Sequence, residues 1–377
     1  MKKTIFSILF AALLSFLLGI FCQKNHVPLS IKHLIQGYPL YSPPPQNTIL
    51  DWDYKKTNDL RPKFMLNGLP FQEIGKNRPL YISQLKRILR MSEFPESFDS
   101  KTKVLERVEL EKVYREKISI ETEPGLWIPF YFFVPKGEVR KYPVIFILHG
   151  HGRGKLETAG LVSSYQKSNA LALAEEGFVT VAPDFRGFGE SGWAGDSVDA
   201  LGHDYSKSIH IQDVLSNIRI GRTVLGSYLF DLHKILAYVE KREEVDLNKM
   251  GVAGTSMGAD VAIWFAALEE RIRVVVACHP EILSYPYEPG DYGSFHACIH
   301  TLPRFRRFFY LKEIPFLICP RPLLIHLNKH KQASVNQNNI EGLYKEAGYP
   351  KNIFIELKNG GDVFYLSKAI DWFKKWL

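Results

Sequence analysis

Between residues 117 and 377, short apolar runs bounded by turn residues alternate with stretches that have the periodicity of helices. Apolar runs separated in this way by helices are typical of a mostly parallel sheet covered on both faces. Ahead of them, KISIET (117–122) and WIPFYFFVP (127–135) predict an antiparallel pair of strands joined at Pro124 and Gly125. The strands predicted after this pair are VIFILHGHG (144–152), FVTVAPDFRGFGESG (178–192), KMGVA (249–253), IRVVVACHP (272–280), PLLIHL (322–327) and IFIEL (353–357).

Helical patterns occupy most of the remaining chain. An amphipathic helix is predicted at 79–91, with Tyr81, Leu85, Ile88 and Leu89 on one face. The other predicted helices are 168–177, about 209–241, 259–268, around 339–347 and 366–377.

These patterns divide the chain into four parts. Residues 1–22 are predicted to be a signal peptide or membrane anchor, and 23–50, with three consecutive prolines, a linker. Residues 51–115 are predicted to form an N-terminal helical extension, and 116–377 the main domain.

The first residues predict export. Lys2 and Lys3 precede Ile5–Phe21, a 17-residue stretch without charge, which is the order of a basic and an apolar signal region. No small-residue cleavage site follows, and Phe21 departs from the small residue usual before a lipidated cysteine such as Cys22. The alternatives of a lipoprotein, an uncleaved anchor and a periplasmic or secreted form stay open. For a bacterial source, the bulk of the chain is expected in the cell envelope.

Composition and charge narrow the possible classes of function and partner only slightly. The 377 residues carry a formal net charge of +8, and the short basic cluster PRFRRFFYLK (303–312) is interleaved with aromatic residues. This cluster is interpreted as a partly solvated face, so no nucleic-acid partner is expected and the membrane is expected to be contacted through the N-terminus only. Cys278, Cys298 and Cys319 have no metal-site spacing and are expected to be buried free thiols.

The stretch GVAGTSMGAD (251–260) carries the strongest chemical signal. A short strand precedes it and an apolar helix follows, which is the context of a nucleophile elbow. Gly254 and Gly258 allow the sharp turn, and Ser256 between them is the candidate nucleophile. A serine hydroxyl needs a base to take its proton, so the remaining chain has to supply one.

Several motifs in order resemble the α/β-hydrolase superfamily. They are LHGHG after the third strand, APDFRGFGES after the fourth, GTSMG at the elbow, PRPLLI at the seventh strand and the closing AIDWFKKWL. The resemblance covers about 75–377 and is greatest to bacterial acetyl-xylan-esterase and dienelactone-hydrolase-like proteins. It implies an α/β-hydrolase fold with a mostly parallel eight-stranded sheet and helices on both faces. It also implies ester hydrolysis through a serine triad, with an oxyanion hole from the N–H groups of Met257 and His151.

Two positions depart from that family's pattern. Where the family places its acid after the seventh strand, this chain has Lys331 and no carboxylate. Where the family places its catalytic histidine, Asp362 stands in NGGDVF (359–364). A carboxylate with a pKa near 4 is a weak base towards a hydroxyl, so esterase activity is predicted to be weak or lost.

Other histidines are candidate surrogate bases. His279 follows the strand that is expected beside the elbow strand, and His330 lies in a loop that is expected to face Asp362. His296 and His300 belong to an irregular segment that can fold over the mouth of the site. In APDFRGFGES, Asp184 and Arg186 are expected to hold the loop rather than to take part in catalysis.

Two functions therefore stay open. One is a serine hydrolase of small acyl esters, such as acetylated saccharides, with a nonstandard base. The other is a non-catalytic homologue that binds a small ligand or protein partner. The enzyme is expected to need no metal and no organic cofactor, because the serine and backbone donors suffice.

Overall fold

In the computed structural model of the chain, the described residues are 63–95, 97–137, 141–191, 206–283, 296–328, 334–359 and 361–377. The predicted signal or anchor segment and the linker lie outside them. None of the described helices is both long enough and apolar enough to cross a membrane.

The described residues form a nine-stranded sheet with the order β1-β2-β3-β5-β4-β6-β7-β8-β9. The first three strands and the β3–β5 pair are antiparallel, whereas β5, β4, β6, β7, β8 and β9 run parallel. The strands are β1 Thr102–Glu109, β2 Val113–Glu123, β3 Leu126–Pro135, β4 Tyr142–Leu148, β5 Val179–Pro183, β6 Val245–Thr255, β7 Ile272–Cys278, β8 Leu323–Asn328 and β9 Ile353–Lys358.

Helices connect the parallel strands and cover both faces of the sheet. They are α1 Phe71–Ile88, α2 Lys155–Thr158, α3 Asn169–Glu175, α4 Ser206–Arg219, α5 Val224–Val239, α6 Met257–Leu268, α7 Ala297–His300, α8 Ser334–Glu346 and α9 Leu366–Trp376. This architecture is the predicted α/β-hydrolase fold.

Alternate residues along the strands point to opposite faces of the sheet and fill a separate hydrophobic core on each face. In β4, Val144, Phe146 and Leu148 belong to the larger core, which includes α1, α5 and α6. Ile145 and Ile147 belong to the smaller core, under α3 and α9. Both faces of the central strands are buried, which explains their nearly continuous apolar runs.

The sheet has one strand more than predicted. Residues Thr102–Glu109, assigned from sequence to the helical extension, form β1 and pair antiparallel with β2 at the edge of the sheet. The strand was missed because most of its side chains are exposed and charged residues are interspersed among them, so it has no alternating apolar signal. The boundary predicted at 115 therefore falls within β2 rather than between two domains.

Two helices also differ from the prediction. Helix α1 begins at Phe71, before the predicted start, and contains Pro79 inside it. The single helical region predicted at about 209–241 is two helices, because Gly221 adopts a φ of 79° between them.

The three described cysteines are free thiols; Cys278 and Cys319 are buried, as predicted, whereas Cys298 is only half-buried. Burial raises the pKa of each of these thiols to about 12, so they are protonated at neutral pH.

Candidate active site

Ser256 lies at a sharp turn between the end of β6 and the start of α6, as predicted from the strand–turn–helix pattern. Its φ of 56° and ψ of −124° are strained for a residue with a side chain. The Ser256 N–H donates to the carbonyl of Cys278 over 2.8 Å, which ties the turn to β7. The turn therefore projects the Ser256 hydroxyl at the carboxyl edge of the parallel strands.

Glycines make this turn sterically feasible. A Cβ on Gly254 would lie 2.1 Å from the carbonyl oxygen of Gly258. A Cβ on Gly258 would lie 2.1 Å from the carbonyl oxygen of Leu148 at the end of β4. Neither position can accept a larger residue without a backbone shift.

An imidazole contacts the candidate nucleophile. The distance from Ser256 Oγ to His296 Nε2 is 3.0 Å, and the distance from His296 Nδ1 to Asp260 Oδ2 is 2.6 Å. Because ionised Asp260 can only accept, Nδ1 carries the proton, and Nε2 is left to accept from the Ser256 hydroxyl. A serine, a neutral imidazole and a carboxylate are thus connected in the order of a catalytic triad.

The position of Asp260 follows from helical geometry. It lies four residues after Ser256 in the first turn of α6, so both side chains occupy the same side of the helix. Its other oxygen, Oδ1, accepts the N–H of Ile282 over 3.0 Å, which fixes the carboxylate plane. The helix N-terminus further stabilises its negative charge.

A second carboxylate, Glu281, supports the same imidazole. Glu281 Oε2 accepts the backbone N–H of His296 over 3.2 Å and lies 3.6 Å from His296 Nδ1. Burial opposes protonation of His296, but the charge and hydrogen bond of Asp260, assisted by Glu281 and Asp362, outweigh it. The pKa of His296 is therefore raised above its ordinary value.

His300, one turn further along the chain, has a different environment. Its Nε2 lies 3.8 Å from Asp260 Oδ2, outside hydrogen-bonding distance. Burial lowers the pKa of His300 to about 4, so this imidazole is neutral at the pH where the site would act.

His296, one of the histidines predicted as surrogate bases, contacts Ser256. His279 follows β7 with a φ of 56°, and its imidazole packs against the ring of Tyr365 with centroids 5.7 Å apart. His330 and Lys331 lie outside the described residues. Asp362, at the family's usual histidine position, is half-buried and acts on the site through its charge, which contributes to the raised pKa of His296.

The predicted oxyanion loop lies against the elbow. A Cβ on Gly150 would be 3.1 Å from Ser256 Cβ, so the loop backbone passes directly beside the nucleophile. His149 holds this loop: its Nε2 accepts the N–H of Phe185 over 3.0 Å, which leaves Nδ1 to donate to the Gly150 carbonyl over 2.7 Å. Burial lowers the pKa of His149, in agreement with a neutral imidazole.

The two predicted oxyanion donors belong to different elements, α6 and the loop after β4. Met257 is the first residue of α6, where backbone N–H groups have no acceptor within the helix. His151 continues the loop after Gly150. Its carbonyl accepts the Tyr165 hydroxyl over 2.9 Å, and its ring stacks on that of His296 with centroids 5.5 Å apart.

The loop of Asp184 and Arg186 has the structural role that was predicted. Asp184 accepts the backbone N–H groups of Lys155 and Glu190 and pairs with the buried Lys155 ammonium over 2.6 Å. Arg186 forms a bidentate pair with Asp231, both contacts 2.7 Å long.

Among the described residues, no group of three or more His, Cys, Asp or Glu side chains is arranged to hold a metal ion.

From the sequence, His296 was only one of several candidate histidines, and Asp260 was not predicted to belong to the site. The i, i+4 spacing of Ser256 and Asp260 was a usable signal, because it is visible within GTSMGAD itself. The partnership with His296 had no such signal, because it depends on the path of the segment before that residue.

The fold and this site define an α/β-hydrolase. The family model described as Abhydrolase family matches residues 57–359, and the chain belongs to that family.

Among curated proteins, the chain is similar to the putative hydrolase YtaP of Bacillus subtilis (strain 168). The two are 28% identical over 208 residues, which cover 54% of this chain and 64% of the relative. An uncharacterized 31.7 kDa protein of the traX-finO intergenic region of Escherichia coli is also 28% identical, over 39% of this chain and 40% of its own length. The match thus spans less than two thirds of these relatives.

Among solved structures, a putative acetyl xylan esterase from Bacteroides fragilis has a TM-score of 0.71 at 17% identity, covering 85% of this chain and 92% of that one. Methylesterase BT1017 has a TM-score of 0.62 at 14% identity, covering 85% of this chain and 66% of that one. A glucuronoyl esterase from Solibacter usitatus has a TM-score of 0.55 at 13% identity, covering 79% of this chain and 91% of that one. At these identities the likeness shows the fold.

Proposed function

We propose that the chain is a serine-dependent carboxylic-ester hydrolase in which Ser256 is the nucleophile, His296 the base and Asp260 the acid. The observation that carries the proposal is the continuous hydrogen-bonded chain from Ser256 Oγ through His296 to Asp260. Membership in the Abhydrolase family supports hydrolysis as the reaction class. The proposal replaces the expectation of weak or lost activity, which rested on Asp362 at the family's histidine position and on Lys331 near the place of its acid.

The reaction follows from the direction of the hydrogen bonds. His296 Nε2 takes the Ser256 proton as Oγ attacks the ester carbonyl carbon, and the protonated imidazole then gives that proton to the departing alkoxide. A water molecule, activated by the same imidazole, hydrolyses the acyl-enzyme and restores Ser256. Backbone N–H groups of Met257 and His151 are the proposed donors to the developing oxyanion, each worth about 3–4 kcal/mol in comparable sites.

The proposed substrate is a small acyl ester, with acetylated saccharides as the first class to examine. The choice is supported by the solved structure described as a putative acetyl xylan esterase, which has a similar fold. No metal or organic cofactor is proposed.

We also propose export to the cell envelope through residues 1–22, since two lysines precede an uncharged apolar stretch there.

A covalent probe tests the proposal directly. The full-length protein is incubated with a fluorophosphonate and with 4-nitrophenyl acetate, each beside Ser256→Ala. We expect a single adduct on the peptide containing Ser256, because only an activated serine displaces fluoride at an appreciable rate. Absence of both adduct and ester hydrolysis in the folded parent would support the non-catalytic, ligand-binding alternative.

The pH dependence of hydrolysis tests the electrostatics of the site. His296 must be neutral to accept the serine proton, and its pKa is raised, so the acidic limb of kcat/KM should lie above the ordinary histidine value of about 6.5. Since the Asp362 charge contributes to this rise, Asp362→Asn should move the limb to lower pH. The exposed Asp371 on α9 provides the matched control, Asp371→Asn, which should leave the limb in place. An unmoved limb in Asp362→Asn contradicts the proposed coupling.

A further inference from the structure

A cavity away from Ser256 lies between the end of α1 and residues 303–308. Its volume is about 270 Å³. The segment that precedes α1 also contributes, because backbone hydrogen bonds join Lys63 to Arg307 over 2.9 Å and Phe64 to Phe308 over 2.8 Å. The cavity is therefore built from two segments of the chain that are distant in sequence.

The cavity wall is strongly basic. Four cationic side chains line it, and none of its described lining residues is acidic. The four are Lys63, Arg87, Arg90 and Arg304. No ion pair joins any of them to a carboxylate among the described residues, whereas Arg186 and Arg242 elsewhere in the chain each pair with two carboxylates. Like charges around one cavity repel one another, and a bound anion would relieve that repulsion.

Two of the four cations sit on strained backbone. Arg90 has a φ of 60° and Arg304 a φ of 68°, both in the left-handed region that disfavours side chains. Each residue immediately precedes a short 3-10 turn, Met91–Glu93 and Phe305–Arg307 respectively. Strain of this kind persists where the surrounding structure imposes it, and it is concentrated at functional sites.

We propose that this cavity binds the phosphate group of a larger molecule. Arginine presents planar, bidentate donors that match phosphate oxygens, and three of the four cations are arginines. A multiply charged group fits four cations that have no carboxylate partner among the described residues better than a single carboxylate does. The amide of Gln84 lines the same cavity and adds an uncharged hydrogen-bonding group.

The remainder of the ligand has space beside the phosphate. A neighbouring cavity of about 640 Å³ shares Arg87 with the basic one and is lined partly by the apolar side chains of Ile82, Met91 and Leu268. The ligand is therefore a phosphate carried on a bulkier group, either a soluble phosphorylated molecule or a phospholipid headgroup.

The basic cavity is separate from the candidate active site. Phe305, which follows Arg304, packs on Trp264 of α6 with ring centroids 5.8 Å apart. Trp264 lies eight residues after Ser256, which is about 12 Å along the helix axis. Loss of binding in this cavity should therefore leave the chemistry at Ser256 intact.

Titration calorimetry of the full-length protein tests the proposal, with inorganic phosphate as the probe and acetate at equal ionic strength as the comparison. We expect phosphate to bind and acetate not to. The double variant Arg87→Gln/Arg304→Gln should weaken phosphate binding at least about 10-fold, because charge-assisted hydrogen bonds are lost. The exposed pair Arg219→Gln/Lys351→Gln removes the same charge elsewhere and should bind as the parent does.

Two further arms distinguish the sources of the phosphate. Tighter binding of glucose 6-phosphate than of inorganic phosphate supports a soluble ligand. Retention on phosphatidic acid vesicles, but not phosphatidylcholine vesicles, that falls in the Arg87→Gln/Arg304→Gln variant supports a headgroup. The proposal is overturned if the parent binds no phosphate, binds acetate equally, or keeps its phosphate affinity in that variant while its thermal midpoint shows it folded.

Discussion

Replacement of His296 by alanine is expected to lower kcat for ester hydrolysis by about 10⁶-fold, as much as loss of an entire triad. The imidazole is the only described group in hydrogen-bonding contact with Ser256 Oγ that can take its proton. The double variant Ser256→Ala/His296→Ala should be no slower than either single variant, because residues that act as one unit have non-additive effects.

The same experiment separates His296 from the other candidate histidines. His279→Asn, which suits the left-handed backbone at that position, and His330→Ala should each keep kcat near that of the parent. Because His296→Ala leaves two buried carboxylates without their imidazole, His296→Gln provides a second variant that can still donate to Asp260. If His296→Gln retains the parent's rate while His279→Asn loses it, the assignment of the base is wrong.

The sheet was largely predictable because its central strands are buried on both faces. Runs such as that of β4 must be apolar at every position, and this signal survives without any knowledge of the partner strands. Strand β1 has no such constraint. It is held by backbone pairing with β2, and its exposed residues can be charged without loss of that pairing.

The candidate nucleophile was equally predictable, since a local turn imposes Gly254 and Gly258 on the sequence. The base was not. A histidine can reach Ser256 from any segment that passes over the carboxyl edge of the sheet, and residues 284–295 before His296 show no periodic pattern. The family's usual histidine position falls on Asp362, whose charge contributes to the raised pKa of His296.

The charge of Asp362 affects both the oxyanion and the imidazole of His296. A carboxylate at 362 would oppose the oxyanion, and it also favours the protonated imidazole at 296. The protonated form is the one that donates to the departing alkoxide. An aspartate at position 362 is therefore compatible with catalysis when His296, directly before α7, is the base. It would be incompatible with catalysis if residue 362 itself had to be the base.

Replacement of Asp260 by asparagine is expected to lower kcat by about 10⁴-fold while the protein stays folded. The asparagine amide can donate to His296 Nδ1, which would leave the proton on Nε2, where it cannot accept from Ser256. Loss of the charge should also lower the pKa of His296, because Asp260 contributes most to its rise. The measurement is the pH profile of kcat/KM, with the melting temperature as the check on folding.

Glu281→Gln is the comparison that assigns the acid, since Glu281 is the second carboxylate beside His296. Its oxygen accepts the backbone N–H of His296, and a glutamine amide oxygen can accept the same bond. At 3.6 Å from Nδ1, against 2.6 Å for Asp260, Glu281 fixes the tautomer less directly. We therefore expect Glu281→Gln to move the acidic limb to lower pH and to reduce kcat far less than Asp260→Asn. The reverse order of the two effects would assign the acid to Glu281 and leave Asp260 as its support.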